Sequence, residues 1–391
     1  MKVTILGLGM IGSTVANELL NSPNITALTL IDANQSNIDR CLSSLNGTKA
    51  SGSAVELTNH NAVVAILKES DIAIACLPHF LSLPVIHAAI EARCHLIDLV
   101  GSDYPEKMKL HEKAIENGVL IVPGMGVAPG IVNILAARGI DLLDEADEAI
   151  IFSGGIPRYP LLPLWYQVVF RLESVMGLYT RPAHAAESGV IVNYPALSGL
   201  EAITFPDPVG QCEAVYSDAH SVAYTLKDKV NRIYEKTVRY KGHFEKMAVL
   251  QELGFLNDEP VTVDGIEVSP RSLTMAVLEP QLKGATNEDI TVARVTVTGI
   301  KDGQNKKLEW SMMDHYDHEK DITSMAKTTS MPAVILAGWI AEGKVNQIGV
   351  VTPEEIIIDD FFNPFLSELA AKGIHIEFND SSSHKHETTS F

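Results

Sequence analysis

Residues 3–20 read VTILGLGMIGSTVANELL and decide the fold of the first part of the chain. Gly7, Gly9 and Gly12 stand in the spacing G-x-G-x-x-G, after an apolar run typical of a strand and at the start of a helical pattern. Three glycines so close together are a conformational cost unless the backbone turns tightly or something approaches it closely. In a β-α-β unit, the approaching group is the pyrophosphate of a dinucleotide, bound by backbone amides at the helix N-terminus.

A carboxylate at the expected distance supports the same interpretation. Asp32 ends the next predicted strand, 20 residues after Gly12, where dinucleotide-binding folds place the acid that binds the adenosine ribose. The segment DANQSN (residues 32–37) contains no arginine, so a 2′-phosphate would meet an unpaired negative charge. We therefore expect NAD rather than NADP. The predicted cofactor site comprises Gly7, Gly9, Met10, Ile11, Gly12, Asp32, Leu77, Pro78 and His79.

The first 140 residues alternate strand and helix patterns, and their strands are nearly continuous apolar runs, as in parallel strands buried on both faces. Such a pattern predicts a Rossmann-type, doubly wound parallel sheet. From about residue 145 the strands are longer and alternate in polarity, and residues 289–317 predict a hairpin around KDGQNK. We predict an α/β chain with a Rossmann domain and a second, α+β domain whose sheet is mostly antiparallel.

Composition excludes several classes of protein. The chain has 391 residues, and its formal net charge of −19 argues against binding to nucleic acid or anionic membranes. Neither a signal peptide nor an apolar run of about 18 residues is evident. Its four cysteines form no C-x-x-C pair, so we expect a reduced, cytoplasmic protein. No metal site is predicted, because strand alternation would place His315 and His318 on opposite faces.

Several longer segments carry a resemblance to a known family. These segments are PGMGVAPGIVNILAARGID (123–141), SGGIP (153–157), FRLESVMGLYTRPA (170–183), NYPALSGLEAITFP (193–206), EKTVRYKGHFEKM (235–247) and SMAKTTSMPAVILAGWIAEG (324–343). Through them the chain resembles the saccharopine dehydrogenase-like superfamily and, within it, the L-lysine 6-dehydrogenases. Saccharopine reductases tend to carry Asp-Pro-Gly where this chain has Ala128, Pro129 and Gly130, and the alanine form resembles the lysine enzymes.

The resemblance implies an activity and a domain plan. It implies oxidative deamination of the L-lysine ε-amine by NAD, giving 2-aminoadipate 6-semialdehyde, which cyclises to a piperideine carboxylate, and ammonia. It also implies a homodimer whose contact the second domain supplies. We expect an NAD-binding domain over residues 1–130, a substrate and dimerisation domain over 131–340, and a segment over 341–376 that packs back on the first domain. The polar residues 377–391 lack periodicity, and we expect them to be disordered.

Hydride can leave an amine-bearing carbon only when the nitrogen is neutral, so a base near the reacting carbon is required. Asp98 and His79 follow neighbouring predicted strands at the carboxyl edge of the sheet, where the nicotinamide lies in such folds. Asp98 is the first candidate to steer the ε-ammonium and accept its proton. Alternatively, Asp98 caps a helix or binds cofactor ribose, and His79 only lines the cofactor site.

The segment EKTVRYKGH provides further candidates. Arg239 suits a bidentate contact with a substrate carboxylate, Tyr240 could donate to the substrate, and His243 could act as a general acid or base. The alternative is a buried polar hinge. Substrate contacts are also predicted for Glu173, which could hold the α-ammonium, and for Arg181 and Asp218, although ordinary ion pairs explain these residues nearly as well. His220 in YSDAHS is subject to the same alternative.

Two other functions remain open. A saccharopine- or opine-type dehydrogenase would oxidise a secondary amine and would need more cationic groups for its extra carboxylates. A non-catalytic NAD-binding regulator would not need the segments RYKGH and IDLVG to face one cavity.

Overall fold

The computed structural model describes residues 1–45, 49–169 and 172–382. Eighteen strands are assigned within these ranges: β1 Lys2–Leu6, β2 Ala27–Asp32, β3 Ala50–Ala54, β4 Ile72–Ala75, β5 His95–Asp98, β6 Leu120–Pro123, β7 Glu145–Pro157, β8 Ala183–Glu187, β9 Val190–Tyr194, β10 Glu201–Thr204, β11 Gln211–Ser217, β12 Val230–Tyr240, β13 Val261–Val263, β14 Ile266–Val268, β15 Asp289–Lys301, β16 Gln304–His315, β17 Gly349–Val350 and β18 Glu377–Ser382.

The helices of the same ranges are α1 Met10–Leu20, α2 Gln35–Ser44, α3 His60–Leu67, α4 His79–Ala92, α5 Tyr104–Met108, α6 His111–Glu116, α7 Ile131–Asp141, α8 Leu172–Leu178, α9 Val222–Thr225, α10 His243–Glu252, α11 Pro270–Gln281, α12 Ser324–Ala341, α13 Pro353–Ile356 and α14 Phe362–Ala371, with a 3₁₀ turn at Asp359–Phe361. None of these described helices has the length and apolar character that crossing a membrane requires.

The chain divides into two compact units. The first comprises Met1–Leu135 and Ala326–His375. Its sheet is parallel throughout, in the order β17-β6-β5-β4-β1-β2-β3. Six of these strands follow the strand order of dinucleotide-binding folds, with β1 at the point where the order reverses. Apolar side chains from the sheet and from α3 and α4 form a buried core on one of its sides.

The second unit comprises Ala136–Met325 and the described part of the tail that begins at Ile376. Its large sheet has the order β10-β11-β12-β7-β15-β16-β18, and β8 and β9 branch from β12. All pairs are antiparallel except β12 with β7. The predicted fold class is confirmed, and β15 and β16 form the predicted hairpin, with Lys301 opposite Gln304.

The prediction of a disordered tail over residues 377–391 was wrong in part. Residues 377–382 are not disordered: they form β18 along β16, and the Phe378 ring stacks on Trp310 at 4.6 Å between centroids. An unpaired sheet edge offers hydrogen bonds to any adjacent chain, even a polar one. The rest of that tail lies outside the described residues.

Candidate functional site

The glycine loop between β1 and α1 has the geometry of a phosphate cradle. Gly7 has a φ of +89°, and a Cβ placed there would lie 2.5 Å from the Cys76 carbonyl oxygen. A Cβ on Gly12 would lie 1.8 Å from the Gly7 carbonyl oxygen. These two glycines are therefore required by the fold itself. Gly9 differs, because a Cβ there would meet no atom of the protein within 4 Å, so only an approaching ligand needs that space.

This contrast leads to a first prediction. Gly9→Val should fold with nearly wild-type stability, because its added atoms point into open space, but should lose at least tenfold in affinity for the dinucleotide. Gly12→Ala should instead be destabilised, because its methyl group overlaps backbone that cannot move aside. Thermal unfolding together with a cofactor titration separates the two effects. Unchanged cofactor affinity in Gly9→Val would exclude the phosphate cradle.

Asp32 lies at the end of β2, and its carboxylate fixes the loop as well as the predicted ribose position. Its Oδ2 accepts a hydrogen bond from the Leu8 amide at 2.7 Å. Its Oδ1 accepts from the Asn34 amide at 2.8 Å and from Asn37 Nδ2 at 3.1 Å. Arg40 lies one helical turn further on, and its Nη2 donates to Asn37 Oδ1 at 2.8 Å. The sequence argument considered only residues 32–37 and therefore overlooked Arg40, which is linked to Asp32 through the Asn37 side chain.

The remaining predicted cofactor residues lie around this loop. Leu77 Cδ2 would be 2.9 Å from a Cβ on Gly7. Pro78 is the N-cap of α4, and half-buried His79 is its first residue. Met10, the first residue of α1, is 51% exposed, and the carbonyl of Ile11 accepts from Ser330 Oγ at 3.2 Å. The chain thus places every residue predicted for the cofactor in one region of the first unit.

Asp98 has a different environment from the one predicted. Its carboxylate is buried and accepts from Lys107 Nζ at 3.0 Å, from Ser82 Oγ at 2.5 Å and from the Val100 amide at 3.0 Å. Lys107 is also fully buried, and its Nζ donates to the Val100 carbonyl at 2.5 Å. A carboxylate enclosed by a cation and two further donors is a structural ion pair. The prediction that Asp98 accepts the substrate proton is therefore not supported.

Arg239 is the clearest ligand-binding candidate of the second unit. It lies on β12 and is 1% exposed. Its Nη1 donates to the Val238 carbonyl at 2.7 Å and to Thr237 Oγ1 at 3.2 Å, whereas its Nε has no partner. Burial opposes its charge, but the neighbouring Tyr179 and Tyr166 phenols outweigh that effect, and the pKa of Arg239 is raised. The guanidinium therefore stays charged while buried.

No carboxylate of the described residues forms an ion pair with Arg239. Glu213 is its direct neighbour across β11 and β12, but the Glu213 carboxylate accepts from the Phe244 amide at 2.7 Å. The Tyr166 ring lies 5.2 Å from the guanidinium carbon, and the buried Tyr166 hydroxyl also lacks a partner. A buried charge without a counter-ion is unfavourable unless a ligand supplies one. The arrangement suits an anion such as a carboxylate.

His243 is near Arg239 but cannot serve as the predicted acid or base in this state. Its Nδ1 donates to the Leu164 carbonyl at 2.8 Å, and its Nε2 lies 2.8 Å from the Tyr179 hydroxyl. Burial and the Arg239 charge lower the pKa of His243 to about 3. The imidazole is therefore neutral near pH 7, and its Nε2 accepts a hydrogen bond from the Tyr179 hydroxyl, which orients Tyr179 beside Arg239.

The other predicted substrate residues lie elsewhere in this unit. The Tyr240 hydroxyl donates to the Pro157 carbonyl at 3.0 Å, and strand alternation directs its side chain away from the face that carries Arg239. Glu173 is half-buried on α8, and Arg181 is exposed after that helix. The role of Tyr240 stays a prediction, and no described contact joins Glu173 or Arg181 to Arg239.

Asp218 follows β11 and lies between two histidines. Its carboxylate is 3.4 Å from His184 Nδ1 and 3.8 Å from His220 Nδ1, and it accepts from the His220 amide at 3.0 Å. Burial raises the pKa of Asp218, but the two histidines and the amide outweigh this effect, so its pKa is lowered. Asp218 is therefore negatively charged. No set of three or more His, Cys, Asp or Glu side chains in the described ranges could hold a metal ion.

Glu235 was not predicted as a site residue. It is 4% exposed, and its Oε1 accepts from Ser153 Oγ at 2.8 Å, whereas its Oε2 has no partner. Glu235, Thr237 and Arg239 alternate along β12 and so share one face. The period-two spacing of these polar residues is the sequence signal that could have pointed to this face, although their burial is visible only in the structure.

The buried Glu235 carboxyl leads to a prediction on pH and stability. Burial raises its pKa to about 8, with a smaller contribution from Asp218 in the same direction and an opposing one from Ser153. Between about pH 5 and 8 the unfolded chain loses this proton and the folded chain keeps it. Folding stability therefore falls with rising pH by up to about 1.4 kcal/mol per unit in this window.

Glu235→Gln cannot lose a proton, so its stability relative to the parent chain should rise steadily from pH 5 to pH 8. Urea unfolding at each pH unit measures the difference. Glu245→Gln is the matched control, because Glu245 is exposed on α10 and should give a flat difference. A flat difference for Glu235→Gln as well would show that its carboxyl ionises normally.

Comparison with known proteins identifies the family to which both parts of the chain are similar. Residues 126–374 match the family model of the saccharopine dehydrogenase C-terminal domain, and residues 3–122 match that of the saccharopine dehydrogenase NADP binding domain. The chain is 22% identical over 395 residues to the carboxyaminopropylagmatine dehydrogenase of Synechocystis sp., covering 95% of this chain and 96% of that protein. It is 24% identical over 412 residues to the carboxynorspermidine synthase of Vibrio alginolyticus, covering 96% of each.

A solved structure shows the same fold. The apo saccharopine dehydrogenase (L-Glu forming) from Saccharomyces cerevisiae superposes with a TM-score of 0.79 at 18% identity, covering 97% of this chain and 100% of that one. The match of residues 3–122 to the NADP binding domain model identifies the first unit as an NAD(P)-binding domain of the family type. Because the two family models together extend from residue 3 to residue 374, the chain belongs to the saccharopine dehydrogenase family of oxidoreductases.

Proposed function

We propose that this protein is an NAD-dependent dehydrogenase that acts on the amine-bearing carbon of an amino acid, with L-lysine as the favoured substrate. The observation that carries the proposal is Arg239, a buried guanidinium with no carboxylate partner among the described residues. A substrate carboxylate is the ligand that this charge needs. Lysine, NAD and water would give 2-aminoadipate 6-semialdehyde, which cyclises, and each turnover would form one ammonia and one NADH.

The residues around Arg239 would hold the substrate rather than transfer protons. Arg239 binds the carboxylate, and the unpartnered Tyr166 hydroxyl adds a donor beside it. Neutral His243 keeps the Tyr179 hydroxyl in place through the 2.8 Å contact. Holding one end of a flexible amino acid in this way orients its reacting carbon and removes much of the entropy cost of reaction.

The cofactor part of the proposal depends on the first unit. The dinucleotide would lie along the glycine loop, with its pyrophosphate in the space beside Gly9 and its ribose hydroxyls on Asp32. When bound, its nicotinamide supplies the hydride acceptor. Asp32 favours NAD because its charge opposes a 2′-phosphate, whereas Arg40 would attract one.

A matched pair of variants tests this preference. Asp32→Ala should lower kcat/KM for NAD about tenfold, because a contact with the ribose is lost. It should also bring the kcat/KM values for NAD and NADP closer together, because the repulsion between Asp32 and the 2′-phosphate is removed. Arg40→Ala should reduce activity with NADP and leave activity with NAD nearly unchanged. Steady-state rates with both cofactors measure both ratios. A wild-type chain that used NADP as well as NAD would contradict the preference.

A second candidate is a dehydrogenase of carboxylated polyamines, which forms or cleaves a secondary amine. Two relatives support it by their names, the carboxyaminopropylagmatine dehydrogenase and the carboxynorspermidine synthase. The buried Glu235 and charged Asp218 also support it, because polyamine substrates carry several cationic nitrogens. The extra carboxylates of a saccharopine-type substrate have no comparable support in this unit.

The test is an assay of a substrate panel that contains the common amino acids, saccharopine and carboxynorspermidine. For each compound it measures the NADH or NADPH formed and the ammonia released. Lysine turnover with equal amounts of ammonia and NADH is the expected result. Turnover of carboxynorspermidine without ammonia would establish the second candidate instead. Dinucleotide binding without turnover of any of these compounds would contradict both and leave the regulatory alternative.

A further inference from the structure

Two buried polar groups lie opposite each other on β11 and β12 without a hydrogen-bond partner. They are Oε2 of Glu235 and Oγ of Ser217, whose residues are 4% and 6% exposed. The two residues are direct neighbours in the antiparallel register, so their side chains leave the same face of the sheet. Buried polar atoms without partners are rare in folded proteins and mark places where something else supplies the hydrogen bond.

The surroundings of this pair are negatively charged. Asp218, next to Ser217 in the chain, carries a negative charge, which adds to the effect of burial in raising the pKa of Glu235. His184 and His220 contact Asp218 rather than Glu235. No lysine or arginine of the described residues forms an ion pair with Glu235. A ligand group that fits here is therefore a hydrogen-bond donor with positive charge, which describes an ammonium group.

The distance to Arg239 limits the length of such a ligand. Arg239 lies four residues further along β12, and its guanidinium reaches back to Thr237 Oγ1 at 3.2 Å. Thr237 is two residues from Glu235 on the same face, a step of about 7 Å along a strand. Between these ends the face carries the hydroxyls of Thr237 and Ser153 and the apolar side chain of Val215, and none of the three is charged. The face thus has an anion-binding end and a cation-binding end, separated by about the length of a short aliphatic chain.

We infer that Glu235 and Ser217 form a subsite for the positively charged amine of a ligand whose carboxylate binds Arg239. This inference rests on the proposed function and specifies its substrate class as an amino acid that carries a second, basic nitrogen about five or six atoms from the carboxylate. The same subsite disfavours a second carboxylate, because the negative charge of neighbouring Asp218 would repel it. It therefore discriminates against substrates of the saccharopine type.

Binding measurements without turnover test the subsite. Calorimetric titration of the full chain with saturating NADH uses L-lysine and L-norleucine, which differ only in the terminal amine. The wild-type chain should bind lysine at least tenfold more tightly than norleucine. In Glu235→Gln this ratio should fall towards one, with the norleucine affinity unchanged within about twofold. Glu201→Gln is the control, because Glu201 is exposed and pairs with Lys236.

Matched pairs of shorter ligands define the spacing. Ornithine against norvaline and 2,4-diaminobutyrate against 2-aminobutyrate shorten the chain by one and two carbons, and the preference for the amine should decline along the series. Titration in two buffers of different ionisation enthalpy measures the number of protons released on binding, which a purely structural role of Glu235 would not change. Lysine binding near pH 7 should release a proton from wild-type Glu235 and none from Glu235→Gln.

These experiments test the subsite separately from the proposed function, because they measure ligand binding and do not depend on turnover. If the panel finds no lysine turnover but Glu235 still controls the preference for the amine, the subsite stands and the deamination proposal is wrong. If the wild type binds norleucine as tightly as lysine, or if Glu235→Gln retains the full preference, the subsite is overturned, whatever the enzyme turns over.

Discussion

Replacing Arg239 by methionine should raise the KM for the amino-acid substrate by two to three orders of magnitude and leave NAD affinity almost unchanged. A buried arginine–carboxylate contact contributes about 3–5 kcal/mol when one partner is removed. Arg239 is 1% exposed and holds its charge with one unpartnered nitrogen, so the substrate carboxylate would be its counter-ion. Steady-state kinetics with the substrate that the panel identifies give the KM.

The same substitution should stabilise the free protein. A guanidinium that is buried without a counter-ion opposes folding, and an apolar side chain of similar length removes that penalty. Arg232→Met is the matched control on the same strand. Arg232 is half-exposed and pairs with Glu148 at 3.2 Å and Glu187 at 3.1 Å, so its loss should lower stability slightly without changing the KM. Destabilisation of Arg239→Met with an unchanged KM would identify this arginine as structural.

The largest loss of stability is expected when the buried ion pair between Lys107 and Asp98 is broken. Lys107→Met should lower the free energy of unfolding by about 3–5 kcal/mol, because it leaves the buried Asp98 carboxylate without its cation. Lys109→Met removes a lysine from the end of the same helix, but its partner Glu106 and Lys109 itself are mostly exposed. The control should therefore change stability by less than about 1 kcal/mol.

A double variant completes this test. Asp98→Asn combined with Lys107→Met removes both charges and should recover most of the lost stability, because an unpaired buried charge costs more than an absent pair. Chemical unfolding of the wild type, Asp98→Asn, Lys107→Met and the double variant gives the coupling energy between the two charges. Equal effects of Lys107→Met and Lys109→Met would contradict the structural ion pair and return Asp98 to the candidates for proton transfer.

Local patterns in the sequence were sufficient for the architecture. The glycine spacing of residues 7–12 and the acid at position 32 are determined by what one loop and one strand end must do. Apolar runs separated by helical patterns predicted the parallel sheet, and the alternating segments predicted the hairpin of β15 and β16. These features depend on neighbours within a few residues, so a single sequence contains the information.

The chemistry of the charged residues depended on contacts that the sequence does not display. Asp98 and His243 looked like proton carriers, but Lys107 neutralises the first and burial beside Arg239 lowers the pKa of the second. Glu235 looked like an ordinary charged residue until burial raised its pKa and the pairing of β11 with β12 placed Ser217 opposite it.

By itself, therefore, the sequence determined the dinucleotide-binding loop, the alternation of strands and helices in the first unit, and the resemblance to the saccharopine dehydrogenase family. Only the tertiary structure decided which ionisable groups are paired, buried or left available for a ligand. The physical reason is that backbone geometry is governed by local sterics and periodicity, whereas the charge and reactivity of a side chain are governed by the desolvation and partners that distant segments bring to it.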